Sequence, residues 1–185
     1  MDSSSKRNHN NLKPIPMDEY SREWVCKDGR TVTLRPIGPE DKPLEKVFIE
    51  GLSRESSRYR FFSEVKEVTS EMLSQFCDID YEHVIAIMAE YDIDGERNNV
   101  GVGRLIIDPD MQNGEFAIVV ADAFQNVGLG ETLLNTLVSV GRKKKLKSIY
   151  GMVLRENYKM LNLVRKSGFT IETSLYNEVK VIRYL

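Results

Sequence analysis

Gly114–Leu137 reads GEFAIVVADAFQNVGLGETLLNTL, and this stretch decides the fold. Phe116 to Ala121 run apolar or small without alternation, the pattern of a strand covered on both faces. A single carboxylate, Glu115, stands before the run. After a short polar break come Gly128 and Gly130, and then Leu133, Leu134, Leu137, Val138 and Val140 fall on one face of a helix. A strand feeding a glycine-rich turn and a helix builds a general anion site. The first helical N–H groups lack internal acceptors, and the helix dipole favours negative charge there. Glycines in the turn let a ligand approach without a Cβ in the way. An ordinary turn into a helix uses the same residues, so spacing alone leaves both readings open.

Outward from this stretch, HVIAIMAEY and NVGVGRLIID read as strands separated by the turn-rich DIDGERN. EWVC and RTVTLRPI predict a hairpin turned at Lys27-Asp28-Gly29-Arg30. Helices are expected in GPEDKPLEKVFIEGL, opened by Pro39, and in SRESSRYRFF and TSEMLSQF, with Phe61 and Phe62 in the core. Beyond the central helix, KSIYGMVL is strand-like. ENYKMLNLVRKSGF is a short helix with Asn157 as N-cap and Gly168 past its end. FTIETSL and EVKVIRYL close the chain as strands. This mixed order argues for one α/β or α+β layer structure over a regular doubly wound sheet. Polar residues 1–21 read as a flexible arm, and 22–185 as one domain.

Composition narrows the function. With 41% hydrophobic and 29% charged residues among 185, the chain can bury a substantial core. A formal net charge of −2 gives no bulk attraction to nucleic acid or anionic membrane. Cys26 and Cys77 form no zinc spacing and fit reduced thiols, so no metal is expected and the location predicted is cytoplasmic. Neither a membrane-spanning run nor the apolar segment of a secretory signal is present. A P-loop needs G-x-x-x-x-G-K-[ST], which does not occur. A dinucleotide fingerprint fails at Leu133, where a third glycine belongs.

QNVGLG after a strand resembles the acyl-CoA pyrophosphate loop, Q-x-x-G-x-G, of the GNAT superfamily of N-acyltransferases. GMVLRENYKML, RKSGF and TLRPIGPEDKPLEKVF resemble other segments of that family in the right order, covering Val32 to Leu185. LSRESSRYRFF, DIDYEHVIAIMA and GRLIIDPDMQNGEFAIVV are similar to the catalytic domain of Pat-type bacterial protein-lysine acetyltransferases. The resemblance implies an α/β (α+β) GNAT fold. Its sheet is mixed, mostly antiparallel and twisted, of about six to seven strands flanked by about four helices. The sheet splays between its fourth and fifth strands, EFAIVV and SIYGMV.

It implies acetyl-CoA as cosubstrate and a primary amine as acceptor, a protein lysine first and a polyamine second. A non-catalytic acyl-CoA sensor is the rival from another class, and the assembly is monomer or homodimer. Gln125, Asn126, Val127, Gly128, Leu129, Gly130 and Glu131 are implied to hold the pyrophosphate. Val119, Val120 and Ala121 are implied to pair with the pantetheine arm, and Asn157 and Met160 to close the other side. Glu115 is implied as general base. Five residues separate it from Val120, a span of roughly 16–17 Å. Alternation puts it on the face of Ala117 and Val119. Two departures from the family matter: Asn126 and Val127 stand where many loops have a cation, so backbone amides must carry the phosphates. Val164 stands where many members have a tyrosine acid, and Tyr158 faces elsewhere.

Overall fold

The computed structural model describes residues 17–172 and 176–185. Strands β1 (Arg22–Val25) and β2 (Thr31–Pro36) form the first hairpin, turned at Gly29 with φ +89°. Helices α1 (Lys42–Glu50), α2 (Arg54–Phe61) and α3 (Ser70–Cys77) follow. Ser53 and Thr69 cap the last two, accepting from the amides of Ser56 and Met72. β3 (Val84–Ile93) and β4 (Glu96–Ile107) pair across Asp94-Gly95, both at positive φ, as a tight hairpin turn requires. The chain continues through β5 (Asn113–Val120), α4 (Leu129–Lys143) and β6 (Ser148–Leu154). It ends with α5 (Tyr158–Lys166), β7 (Thr170–Glu172) and β8 (Glu178–Tyr184).

The eight strands form one sheet in the order β1-β2-β3-β4-β5-β6-β8-β7. All neighbours are antiparallel except β5 and β6. The splay falls between EFAIVV and SIYGMV as expected; counting both hairpin strands makes these β5 and β6. Residues 1–16 of the expected arm, and 173–175 at the end of FTIETSL, lie outside the described residues. Met17–Tyr20 forms a single 3-10 turn and Tyr20 is buried, so packing begins before residue 22.

Both faces of the sheet are covered. Leu129, Leu133, Leu134 and Leu137 of α4 are fully buried against one face, joined there by Leu161 and Val164 of α5. Truncating any of these leucines to alanine costs about 2–5 kcal/mol. Gly101 and Gly103 of β4 let α4 lie this close: a Cβ on either meets a Leu133 atom at 3.3 Å. Helices α1 to α3 cover the other face, over Ala86, Met88, Val102 and Val119. Cys26 and Cys77 are buried free thiols. No helix among the described residues is long and apolar enough to cross a membrane.

Candidate active site

The central feature is a fork in the sheet. β5 and β6 pair only at Asn113–Ser148, Gly114–Ile149 and Glu115–Tyr150, and then part. At the parting, the Phe116 ring fills the space that a Cβ on Gly151 would need, 2.7 Å away. From Phe116 to Val120, β5 keeps β4 on one edge and has no strand on the other. The Ala121 amide donates to the Val100 carbonyl at 2.9 Å, toward β4. Backbone groups alternate along a strand, so the N–H of Val120 points into the open fork while those of Val119 and Ala121 do not. The Val120 carbonyl is already taken by Gln125 Nε2 at 3.2 Å. The result is a cleft of about 470 Å³ between β5, α2 and α5.

At one end lies the glycine turn. Asn126 (φ +63°) and Gly128 (φ +91°) are both left-handed, and α4 starts with no side-chain cap. Its first amides therefore remain as donors for an anion. The cations missing from the loop come from elsewhere in the chain. Lys27 arrives from the β1–β2 turn, held by its amide on the Val127 carbonyl at 3.0 Å, and Lys159 and Lys166 arrive from α5. Lys159 Nζ donates to Gln125 Oε1 at 3.2 Å. Three cations that the loop's own sequence lacks thus stand along the cleft beside its uncapped amides. The helix end GRKKKLK contributes nothing here: Lys144 is buried, donating to the Tyr81 and Glu82 carbonyls, and Lys143 pairs with Glu19.

Glu115 lies at the opposite, paired end and lines the cleft. Val119 packs under α1–α3 while Phe116 and Ile118 pack under α4, so Glu115 and Ala117 share the α1–α3 face, as alternation predicted. Burial, and secondarily Asp108, push the Glu115 carboxyl above its ordinary value, while Arg60 pulls the other way. Asp108 accepts from the Tyr150 hydroxyl at 2.9 Å. Asp78 pairs with Lys42 and Asp80 with His83, away from the cleft.

Helix α2 forms the remaining wall through Glu55, Ser56, Tyr59 and Arg60. Asp122 anchors it, accepting from Ser53 Oγ at 2.8 Å and Ser56 Oγ at 3.0 Å. Gln125 Nε2 also reaches Ser56 Oγ, at 3.0 Å, so the glycine turn and α2 share one network. Phe62 departs from expectation. It terminates α2 at φ +58°, and this left-handed cap turns its half-exposed ring into the cleft instead of the core.

Of the residues singled out in sequence, Glu115, Val119, Val120, Gln125, Asn126, Gly128, Gly130, Glu131, Asn157 and Met160 line the cleft. Ala121, Val127 and Leu129 do not. The Ala121 amide is committed to β4, the Val127 carbonyl to Lys27, and the Leu129 side chain to the core. Asn157 serves two ends at once: its Oδ1 caps α5 on the Met160 amide at 3.0 Å, which leaves its amide nitrogen for the cleft. Val164 is fully buried and Tyr158 is 72% exposed, so neither supplies an acid; Tyr59 is the tyrosine that lines the cleft.

The model of the acetyltransferase (GNAT) family matches residues 49–169. The chain belongs to this family. Acetyltransferase PA5475 of Pseudomonas aeruginosa is 33% identical over 164 residues, covering 88% of each chain. The GNAT domain of PAT from S. lividans superposes with a TM-score of 0.83 at 26% identity, covering 92% of this chain and 99% of that one. Spermidine N-acetyltransferase from Vibrio cholerae, solved with CoA and spermine, shares the fold with a TM-score of 0.67 at 23% identity. It covers 83% of this chain and 95% of its own. The GNAT chain described here is an acetyl-CoA-dependent N-acetyltransferase that moves an acetyl group to an amine. An open strand edge, uncapped helix amides and three lysines fit that cosubstrate's amide arm and phosphates.

Proposed function

We propose that the acceptor is a protein lysine and that Glu115 is the general base. The observation that carries the reading is the position of Glu115. It is a carboxylate of raised pKa on the cleft wall, at the end away from the phosphate loop. Acetyl-CoA supplies the acetyl thioester. Glu115, through a bridging water, takes a proton from the entering ammonium. The neutral amine forms the C–N bond as the C–S bond breaks, and CoA leaves as the thiolate. The second N–H proton passes to solvent, which protonates the thiolate. The Val120 N–H, free on the open edge, is the donor for charge developing on the carbonyl oxygen. Asn157 and Met160 hold the opposite wall.

The sequence likeness to the PAT domain supports the lysine reading. Asp108 and Asp110 near the acceptor end would also suit a polyamine. The two are separated by kcat/KM on a panel of lysine peptides, spermidine and spermine with acetyl-CoA. The lysine reading expects peptides to exceed polyamines by about tenfold or more, and the reverse order overturns it.

A further inference from the structure

Arg60 enters the cleft from α2 with no ion pair among the described residues. Its guanidinium lies over the ring of neighbouring Phe61, 5.0 Å from the centroid. Arg104, on β4, lies under the same helical layer and is 4% exposed. Its Nη2 donates to the Phe76 carbonyl at 2.9 Å, but Nε and Nη1 find no acceptor among the described residues. Arg104 stands in register with Ala117, a wall of the cleft. Burial, and next the charge of Arg104, pull Arg60 down to about 10. Buried donors without acceptors and two neighbouring cations both destabilise, so this pairing calls for an anion.

The nearest fixed carboxylates do not fill that place. Glu45 is buried on α1, but its Oε2 accepts from Asn99 Nδ2 at 2.8 Å and reaches neither arginine within ion-pair distance. Glu115 is a through-space neighbour of Arg60, also without an ion pair. Burial raises the carboxyls of both Glu45 and Glu115, and neither forms an ion pair with Arg60 or Arg104, so they offset the two guanidinium charges only in part. The offset weakens further when Glu115 gains a proton, and an anion beside Arg60 then becomes more favourable. Glu115 thus has both an acid, Asp108, and a guanidinium, Arg60, within electrostatic reach.

We propose that Arg60, backed by Arg104, forms a carboxylate subsite beside Glu115, so that preferred acceptors carry a carboxylate a few bonds from the reacting amine. This rests on the Glu115 end of the cleft being the acceptor end. Two sources share the chemistry: a free amino-carboxylate, and an acidic side chain flanking a protein lysine.

The test uses the full chain, acetyl-CoA and matched acceptors: lysine against cadaverine, and a lysine peptide flanked by glutamates against one flanked by glutamines. In at least one pair, wild type should favour the carboxylate-bearing member about tenfold or more in kcat/KM, mainly through KM. Arg60→Gln should bring that ratio within about threefold of unity, and Arg60→Lys, which keeps the charge without the fork, should retain part of it. The pair that responds names the source. Equal use of both members in both pairs, or a ratio that survives Arg60→Gln, overturns the proposal. So does an Arg60-dependent preference confined to the donor, seen as tighter calorimetric binding of succinyl-CoA than butyryl-CoA. If no acceptor turns over, the lysine reading fails on its own, and the ratio is read instead from Kd on CoA-saturated protein.

Discussion

Lys27→Ala with Lys159→Ala removes two of the cations that flank the phosphate loop. A Cβ on Gly128 would lie 3.3 Å from Lys27 Cε, and Lys159 is tethered to Gln125, so both ammonium groups are held against the turn. Both side chains are exposed. A charge pair at 4 Å is worth about 1 kcal/mol in water and about 4 kcal/mol at an effective dielectric of 20. Exposure decides for the lower figure, about 1 kcal/mol per lysine. Each single variant should therefore raise the Kd for CoA about fivefold, and the pair about 30-fold. Calorimetry at low and high salt reads this directly. The deficit should shrink as salt screens what remains, while thermal stability should hold because neither lysine is buried. A double variant within about twofold of wild type at low salt would refute the assignment of these cations.

Gly130→Ala places a methyl at ordinary contact, 3.5 Å from Leu163 Cδ2, so folding should be unharmed. The same methyl stands before the helix amides, and CoA affinity should fall about tenfold without a lower Tm. Asp108→Asn removes a charge that raises the Glu115 carboxyl, so the acidic limb of kcat/KM should move to lower pH; an upward move would contradict the coupling. Asp41 is desolvated, but hydrogen bonds from Arg35 and Gly38 outweigh this and hold its carboxyl below the ordinary value. Asp41→Asn should cost about 2–4 kcal/mol at neutral pH by urea unfolding. A depressed carboxyl contributes above its unfolded value and loses the contribution as pH falls through the folded one, so wild type and variant should converge in acid.

What the sequence revealed, and what it hid, follows the range of the interactions. Phe116–Ala121 and the face of α4 are set by local periodicity, and Asn157 and Gly168 mark α5 by capping chemistry within a few residues. The fork was expected only through the family resemblance, which could be seen because its strand, glycine turn and helix are contiguous in the chain. Lys27 was not, because it meets the Val127 carbonyl only after the first hairpin packs beside a loop 100 residues away. Phe62 looks like core beside Phe61, and only a left-handed backbone turns it outward. Lys144 stands in the basic run GRKKKLK, yet it is buried, with its ammonium donating to two loop carbonyls. The nearness of Arg60 to Arg104 needs α2 packed on the sheet at β5, which no local pattern announces.

The central claim is that Glu115 removes the proton of the amine. Glu115→Gln keeps the shape of the side chain and removes its basicity. Paired measurement of turnover and of acetyl-CoA binding by calorimetry should show kcat/KM falling about 10²–10⁴-fold while Kd stays within about threefold of wild type. Turnover undiminished in that variant would contradict the account.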